Sequence, residues 1–252
     1  MWTASGTFKI GDLFVGVRSY PAALSNRVRS TLADHVVEDV DAPPNYSLRL
    51  ETREPGRKGP SRTYALYRSQ CLLLRTRKRE RVLRALAHCL SGHVDPRVGL
   101  VRVRQQAVVG ISGAVLLPHE LHWRLEALEP RLGANGMWLA DPPFIDIDAG
   151  TGELILAPPM IGVDVAALGA RRDRPGPYGR YPIREWAILG RDDDETLTTH
   201  AALAAVMPMV DGDVDHPAPM KAILHTMSRT SVTRIQHESG ARLFDRLVAP
   251  ER

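Results

Sequence analysis

The chain opens with apolar and polar residues alternating from Thr7 to Arg18, "TFKIGDLFVGVR", with Gly11-Asp12 set inside the run. A period of two predicts a strand, or a hairpin turning at the Gly-Asp pair. From Pro21 the period changes. Leu24, Val28, Leu32 and Val36 recur every fourth residue, on one face of a helix over 21–36. "DAPPN" breaks the chain, "YSLRLET" alternates again, and "REPGRKGPSR" has the proline, glycine and charge of a hairpin tip. "TYALYRS" and "CLLLRT" predict two more short strands. "RKRERVLRALAHCL" predicts a helix with Val82, Leu83, Leu86 and Leu90 toward the core.

"SGHVDPRVG" is the expected seam between an N-terminal α+β unit, residues 1–95, and a second part, residues 96–252. In the second part "LVRVRQQAVVG" and "GAVLLP" predict strands. A helix from His119 to Arg131 follows, burying Leu121, Leu125, Leu128 and Leu132. "GMWLAD", "IREWAILG" and "SVTRIQH" predict strands, and "FIDIDAGTGELILAP" a pair of them turning at Asp148-Ala-Gly-Thr-Gly. "TLTTHAALAAVM", "MKAILHTMSR" and "SGARLFDRLV" predict helices, the first capped by Thr or Asp. "ALGARRDRPGPYGRYP" predicts an exposed loop. Strands alternating with helices place this part in the layered α/β class.

Composition narrows the setting. Hydrophobic content of 44% and charged content of 25% are those of an ordinary globular protein. The longest apolar runs are too short to span a bilayer, and "MWTASGTFKIGD" lacks a secretion signal, so a cytoplasmic protein is expected. Cys71 and Cys89 both lie in apolar segments and are expected to be buried, reduced thiols. The net charge is +4, and only Lys9, Lys58, Lys78 and Lys221 among the 33 basic residues are lysine. That arginine skew fits a GC-rich genome as well as a binding surface, so it decides nothing about partners.

The order of segments after residue 98 resembles the HPr-kinase-like family of P-loop proteins. The likeness is carried by Leu116-Leu117-Pro118 before a helix, "GMWLAD", "DIDAGTGELILAPP", "YPIREWAILG", "THAALAAVM" and "SVTRIQHESGARLFDRL". In that family the strand after Leu-Leu-Pro leads into a glycine-rich loop with Gly-Lys-Ser or Gly-Lys-Thr. Such a loop converges backbone N–H groups, a lysine and a hydroxyl on phosphates and magnesium. Here the corner reads Pro118, His119, Glu120, Leu121, His122, and up to Leu132 it has no glycine, lysine, serine or threonine. Glu120 would put a carboxylate where an anion should sit. Asp141 stands at the family's magnesium-side acid, but Pro142 follows where a second acid belongs. The resemblance thus implies an HPr-kinase-like core without phosphoryl-transfer equipment, a non-enzyme holding no cofactor and no metal.

Other constellations are weaker. His119 and His122 are three apart, whereas a zinc protease helix needs four, so a solvated first helical turn is the expectation. Asp146 and Asp148 share one side of a strand and are expected on its wet face. Arg68, Arg75, Arg77 and Arg79, with Lys78, Arg81 and Arg84, form a basic run broken by Glu80. A solvated helix face accounts for it, and so does an acidic peptide or protein partner; nucleic acid is not expected.

Degenerate members of the family accompany pathways that make ribosomally encoded, modified peptides, daptide-type pathways among them. The resemblance therefore implies a non-catalytic recognition protein that binds the leader of a precursor peptide and presents it to tailoring enzymes. Physically, an extended leader would add to a sheet edge, around residues 46–52 or 63–67, with the arginines attracting acidic residues. The alternatives are an ATP-dependent phosphotransferase working through Asp141, Asp146, Asp148 and His122, and a basic nucleic-acid-binding regulator.

Overall fold

The computed structural model describes residues 2–52, 62–94, 99–140, 144–157, 178–190, 195–211, 217–236 and 240–248. These form an α/β protein of two compact units, the first holding the described residues up to 94 and the second those from 99 onward. Most of the expected hairpin tip at 53–62, the loop before Tyr178 and Asp141 lie outside the described residues.

The first unit is one six-stranded sheet with two helices. Its strands are β1 (Thr3–Ile10), β2 (Leu13–Tyr20), β3 (Val36–Val37), β4 (Pro44–Thr52), β5 (Arg62–Arg68) and β6 (Cys71–Thr76), in the order β3-β1-β2-β4-β5-β6. The opening alternation is a hairpin, with Ile10 paired to Leu13 across Gly11-Asp12. Helices α1 (Ala22–Thr31) and α2 (Arg79–Val94) cover the same face. Ser19 of β2 bonds Ser25 of α1 at 2.7 Å, and Tyr46 of β4 bonds His93 of α2 at 2.9 Å. Phe8, Ile10, Val15, Val17, Leu48 and Leu66 fill the space between.

Helix α1 stops sooner than its spacing predicts. Leu24, Val28 and Leu32 are buried, but the chain leaves the helix after Thr31, and Val36 pairs with Phe8 in β3. The edge of β1 supplies the backbone partners that another helical turn would have supplied, and β-branched Val36-Val37 suits a strand.

From β3 the chain returns over the face opposite the helices to begin β4 beside Gly16. This strap, residues 38–43, is tied by the Ala42 N–H to Thr7 Oγ1 at 3.0 Å. It lies so close that a Cβ on Gly16 would come within 2.4 Å of the carbonyl oxygens of Ala42 and Pro43. Glycine is required there by that close approach.

The second unit holds two five-stranded sheets. The first joins β8 (Gln106–Gly110), β9 (Gly113–Leu117), β10 (Trp138–Leu139), β14 (Ile183–Leu189) and β16 (Ser231–Ile235) in the order β10-β8-β9-β14-β16. The other joins β7 (Leu100–Val103), β11 (Ile145–Asp148), β12 (Leu154–Leu156), β13 (Gly179–Tyr181) and β15 (Val210–Asp211) in the order β13-β12-β11-β7-β15. The expected single strand "LVRVRQQAVVG" is therefore two, one in each sheet. The burial pattern marks the break. Leu100–Val103 alternate between half-buried and buried positions, whereas Gln106–Gly110 are buried throughout. The Arg104 N–H extends the pairing with β15 by donating to the Met209 carbonyl at 2.8 Å, and the Gln105 N–H then folds back to the Val103 carbonyl at 3.0 Å, where the chain leaves β7.

Continuous burial of β8 and β9 means that each face needs its own cover. On one side Val108, Val115, Leu117 and Ala187 pack with α3 (His122–Ala134) and α6 (Gly240–Val248) through Leu121, Leu125, Leu128, Leu132, Leu243 and Leu247. On the other, Ala107, Val109, Leu116, Trp186 and Ile188 pack with Val101, Val103, Ile145 and Ile147 of the second sheet. Helices α4 (Thr199–Val206) and α5 (Pro217–Met227) close that side with Ala202, Val206, Ala222 and Ile223. Thr198 caps α4 by accepting the Ala201 N–H.

Because backbone lies where a methyl would go, Gly16→Ala is expected to displace the strap and cost about 2 kcal/mol or more. Urea denaturation of the two proteins measures it.

Candidate functional site

Strand β9 leaves the sheet at Leu117, and Pro118 turns the chain into a short 3-10 turn, His119–Leu121, from which α3 continues. The side chains of this corner do not converge. His122 is 3% exposed and points its Nδ1 at Gln106 Oε1, 2.6 Å away on β8. It is thus a buried, hydrogen-bonded residue, not part of a solvated first turn: Gln106 lies opposite Leu117 in the ladder, next to the turn. Glu126, a turn later, is buried as well.

His119 instead faces outward and lies 3.1 Å from Glu120. That hydrogen bond holds the Glu120 carboxyl below its ordinary range, against desolvation that raises it; its own backbone N–H and Arg104 also favour the charged form. A carboxylate here occupies the amide that a phosphate would use. The corner therefore offers an anion a carboxylate with which His119 is already paired, and no lysine, arginine or hydroxyl of its own.

Two acids of the enzymatic alternative, Asp146 and Asp148, lie among the described residues, and both have partners. Asp146, expected on a wet face, is buried and gripped by Arg102 of neighbouring β7, Nε to Oδ1 at 2.9 Å and Nη2 to Oδ2 at 3.2 Å. The exposed face of the strand is closed by an arginine that lies opposite in the ladder but is 44 residues away in sequence. Asp148 serves its turn, accepting the Gly150 and Thr151 N–H groups at 2.8 and 3.0 Å, and meets Arg180 at 3.1 Å. The two amides, with Arg180 added, hold its carboxyl below the usual aspartate range. Among the described residues no three histidine, cysteine or acidic side chains converge as a metal site.

The arginine run is arranged around β6. Arg68 ends β5, a turn at Ser69-Gln70 reverses the chain, Arg75 lies within β6, Arg77 follows it, and Arg79 begins α2. Ser69 takes the left-handed conformation at φ 52° that this tight reversal needs. Arg75 Nε is 3.0 Å from Glu51 Oε2, and Arg79 is 3.0 Å from Glu80. Arg81, read as part of the solvated helix face, is buried. Cys71, read as a buried thiol, is exposed at the head of β6, while Cys89 is buried in α2.

The sheet order also moves the expected peptide host. Residues 46–52 and 63–67 belong to β4 and β5, which are interior strands. The turn at Ser69-Gln70 brings "CLLLRT" outside them, so the edge is β6, and no described strand pairs with its outer side.

Gln106→Leu strands the buried Nδ1 of His122 and is expected to cost about 1–3 kcal/mol in chemical denaturation. Asp148→Ala is expected to lower stability near neutral pH. Because the folded pKa of Asp148 lies below its unfolded one, the difference between wild type and variant should shrink as pH falls below about 4, through the folded value. Melting temperatures across that range test the sign.

No family model, curated protein or solved structure matches the chain.

Proposed function

We propose that this protein is a non-catalytic peptide-recognition protein, which takes an extended acidic segment as an added strand along β6. In the pathway implied by the resemblance, that segment is the leader of a ribosomally made precursor, presented to tailoring enzymes. The observation that carries the reading is the edge itself. β6 is six residues long, and alternate residues turn their backbone N–H and C=O groups to a side that no described strand occupies, with Arg75 inside the strand and Arg77 and Arg79 just beyond it. Backbone hydrogen bonds along such an edge give affinity for extended chain, and the neighbouring cations favour acidic sequence. The corner at Pro118–His122 supports a non-enzymatic role, because His122 is committed to Gln106 and Glu120 supplies negative charge where a triphosphate would lie.

Among the described residues no helix is long and apolar enough to cross a membrane.

Calorimetric titration with the short peptides encoded in neighbouring genes is expected to find one that binds at roughly micromolar Kd, about −8 kcal/mol. The double variant Arg77→Glu, Arg79→Glu should weaken it about tenfold or more and flatten its salt dependence. Magnesium-ATP in the cell should leave the isotherm unchanged. Uniformly millimolar affinities would sink the reading, as would acceptor-dependent ATP turnover.

A further inference from the structure

Arg75 differs from the arginines around it in how it is held. Its ladder partner is Ala65, which lies opposite Arg49, which in turn lies opposite Tyr20. Paired residues share a face, so Tyr20, Arg49, Ala65 and Arg75 form one row across the sheet, on the side away from α1 and α2. Glu51 and Tyr67 stand on the same face. The Tyr67 hydroxyl donates to Glu51 Oε1 at 2.8 Å, and Arg75 Nε meets Glu51 Oε2 at 3.0 Å. Burial, then the Glu51 carboxylate, raise the Tyr67 hydroxyl, which therefore stays a donor at neutral pH.

This chain anchors the guanidinium from the interior of the sheet. Its Nε meets Glu51, the guanidinium also interacts with the Tyr67 oxygen, and the side chain is still 49% exposed. Arg49, also exposed, makes no hydrogen bond or ion pair with any described residue. Two guanidiniums against the single Glu51 carboxylate leave the row positive. A strand added to β6 would lie about 4.8 Å outside it, and every second residue would share the face of Arg75.

We propose that Arg75 selects the peptide, taking on its Nη nitrogens the carboxylate of an aspartate or glutamate that faces it from the added strand. Glu51 and Tyr67 are positioning residues that fix the plane of the fork, and Arg49 keeps the local charge positive. A planar guanidinium held in place loses little freedom on binding and discriminates a carboxylate from an amide of the same shape. The inference rests on strand addition at β6 and adds to it a sequence requirement, an acid at one alternating position.

Two labelled probes of about ten residues test it by fluorescence anisotropy, one alternating valine with glutamate and the other valine with glutamine. Wild type should prefer the glutamate probe by about tenfold. Arg75→Met and Arg75→Lys should both cut the preference to the roughly two- to threefold that Arg77 and Arg79 maintain, while the glutamine probe binds as before, the lysine variant because it keeps charge without the fork. Tyr67→Phe should reduce the preference about two- to fivefold, as expected when one of the hydrogen bonds that hold the Glu51 anchor is lost. If the preference stays at about tenfold in both Arg75 variants, selection by Arg75 is overturned. The edge reading then still stands, provided both probes bind and the glutamate probe weakens with Arg77→Glu, Arg79→Glu. If neither probe binds at millimolar concentration, both readings fall. Displacement of the glutamate probe by a single-stranded oligonucleotide in an Arg75-dependent way would make the row a nucleic-acid surface and also overturn the proposal.

Discussion

The burial of β8 and β9 on both faces is the constraint from which the second unit follows. A strand without a solvent face must have apolar layers above and below it, and the chain supplies α3 and α6 on one side and a second sheet with α4 and α5 on the other. The same constraint shapes the corner after β9. His122 enters α3 beside Gln106, a buried polar residue of β8, and its Nδ1 bonds the Gln106 Oε1. A loop that wrapped a phosphate would have to open that corner; this one is closed by a buried hydrogen bond.

In the first unit the governing feature is an edge. A sheet of six strands must end somewhere, and the two-residue turn at Ser69-Gln70 makes it end on β6, among arginines. Natural sheets blunt exposed edges with charge. Arginines 75, 77 and 79 meet that need, and under the proposed function the same side chains that guard against self-pairing would also select the partner.

Much of this was legible from local pattern. The four-residue spacing of leucines in α3, the Gly11-Asp12 hairpin, the turn at Asp148 and the Thr198 cap depend on neighbours within a few residues, which a sequence displays. What was not legible depended on distant partners. Nothing near Val36 announces that Phe8 will recruit it into a sheet. Arg102 and Asp146 find each other only after β7 and β11 align. Arg81 and Cys71 exchange their expected environments because burial is decided by layers and edges, not by hydrophobicity alone. The switch inside "LVRVRQQAVVG" did leave a trace: alternation in LVRV gives way to an unbroken apolar run in AVVG, with two glutamines at the change. The arginine row was visible only as composition, since Arg49 and Arg75 are neighbours through β5 and not through the chain.

The strap over Gly16 has a consequence for how the molecule is made. Residues 38–43 pass outside β1 and β2 after α1 has packed on their inner side, so the chain encircles its own first hairpin. Such a wrap closes only on something already present. The first hairpin is thus the surface that the strap is laid against, and it is also the part of this unit that a ribosome releases first.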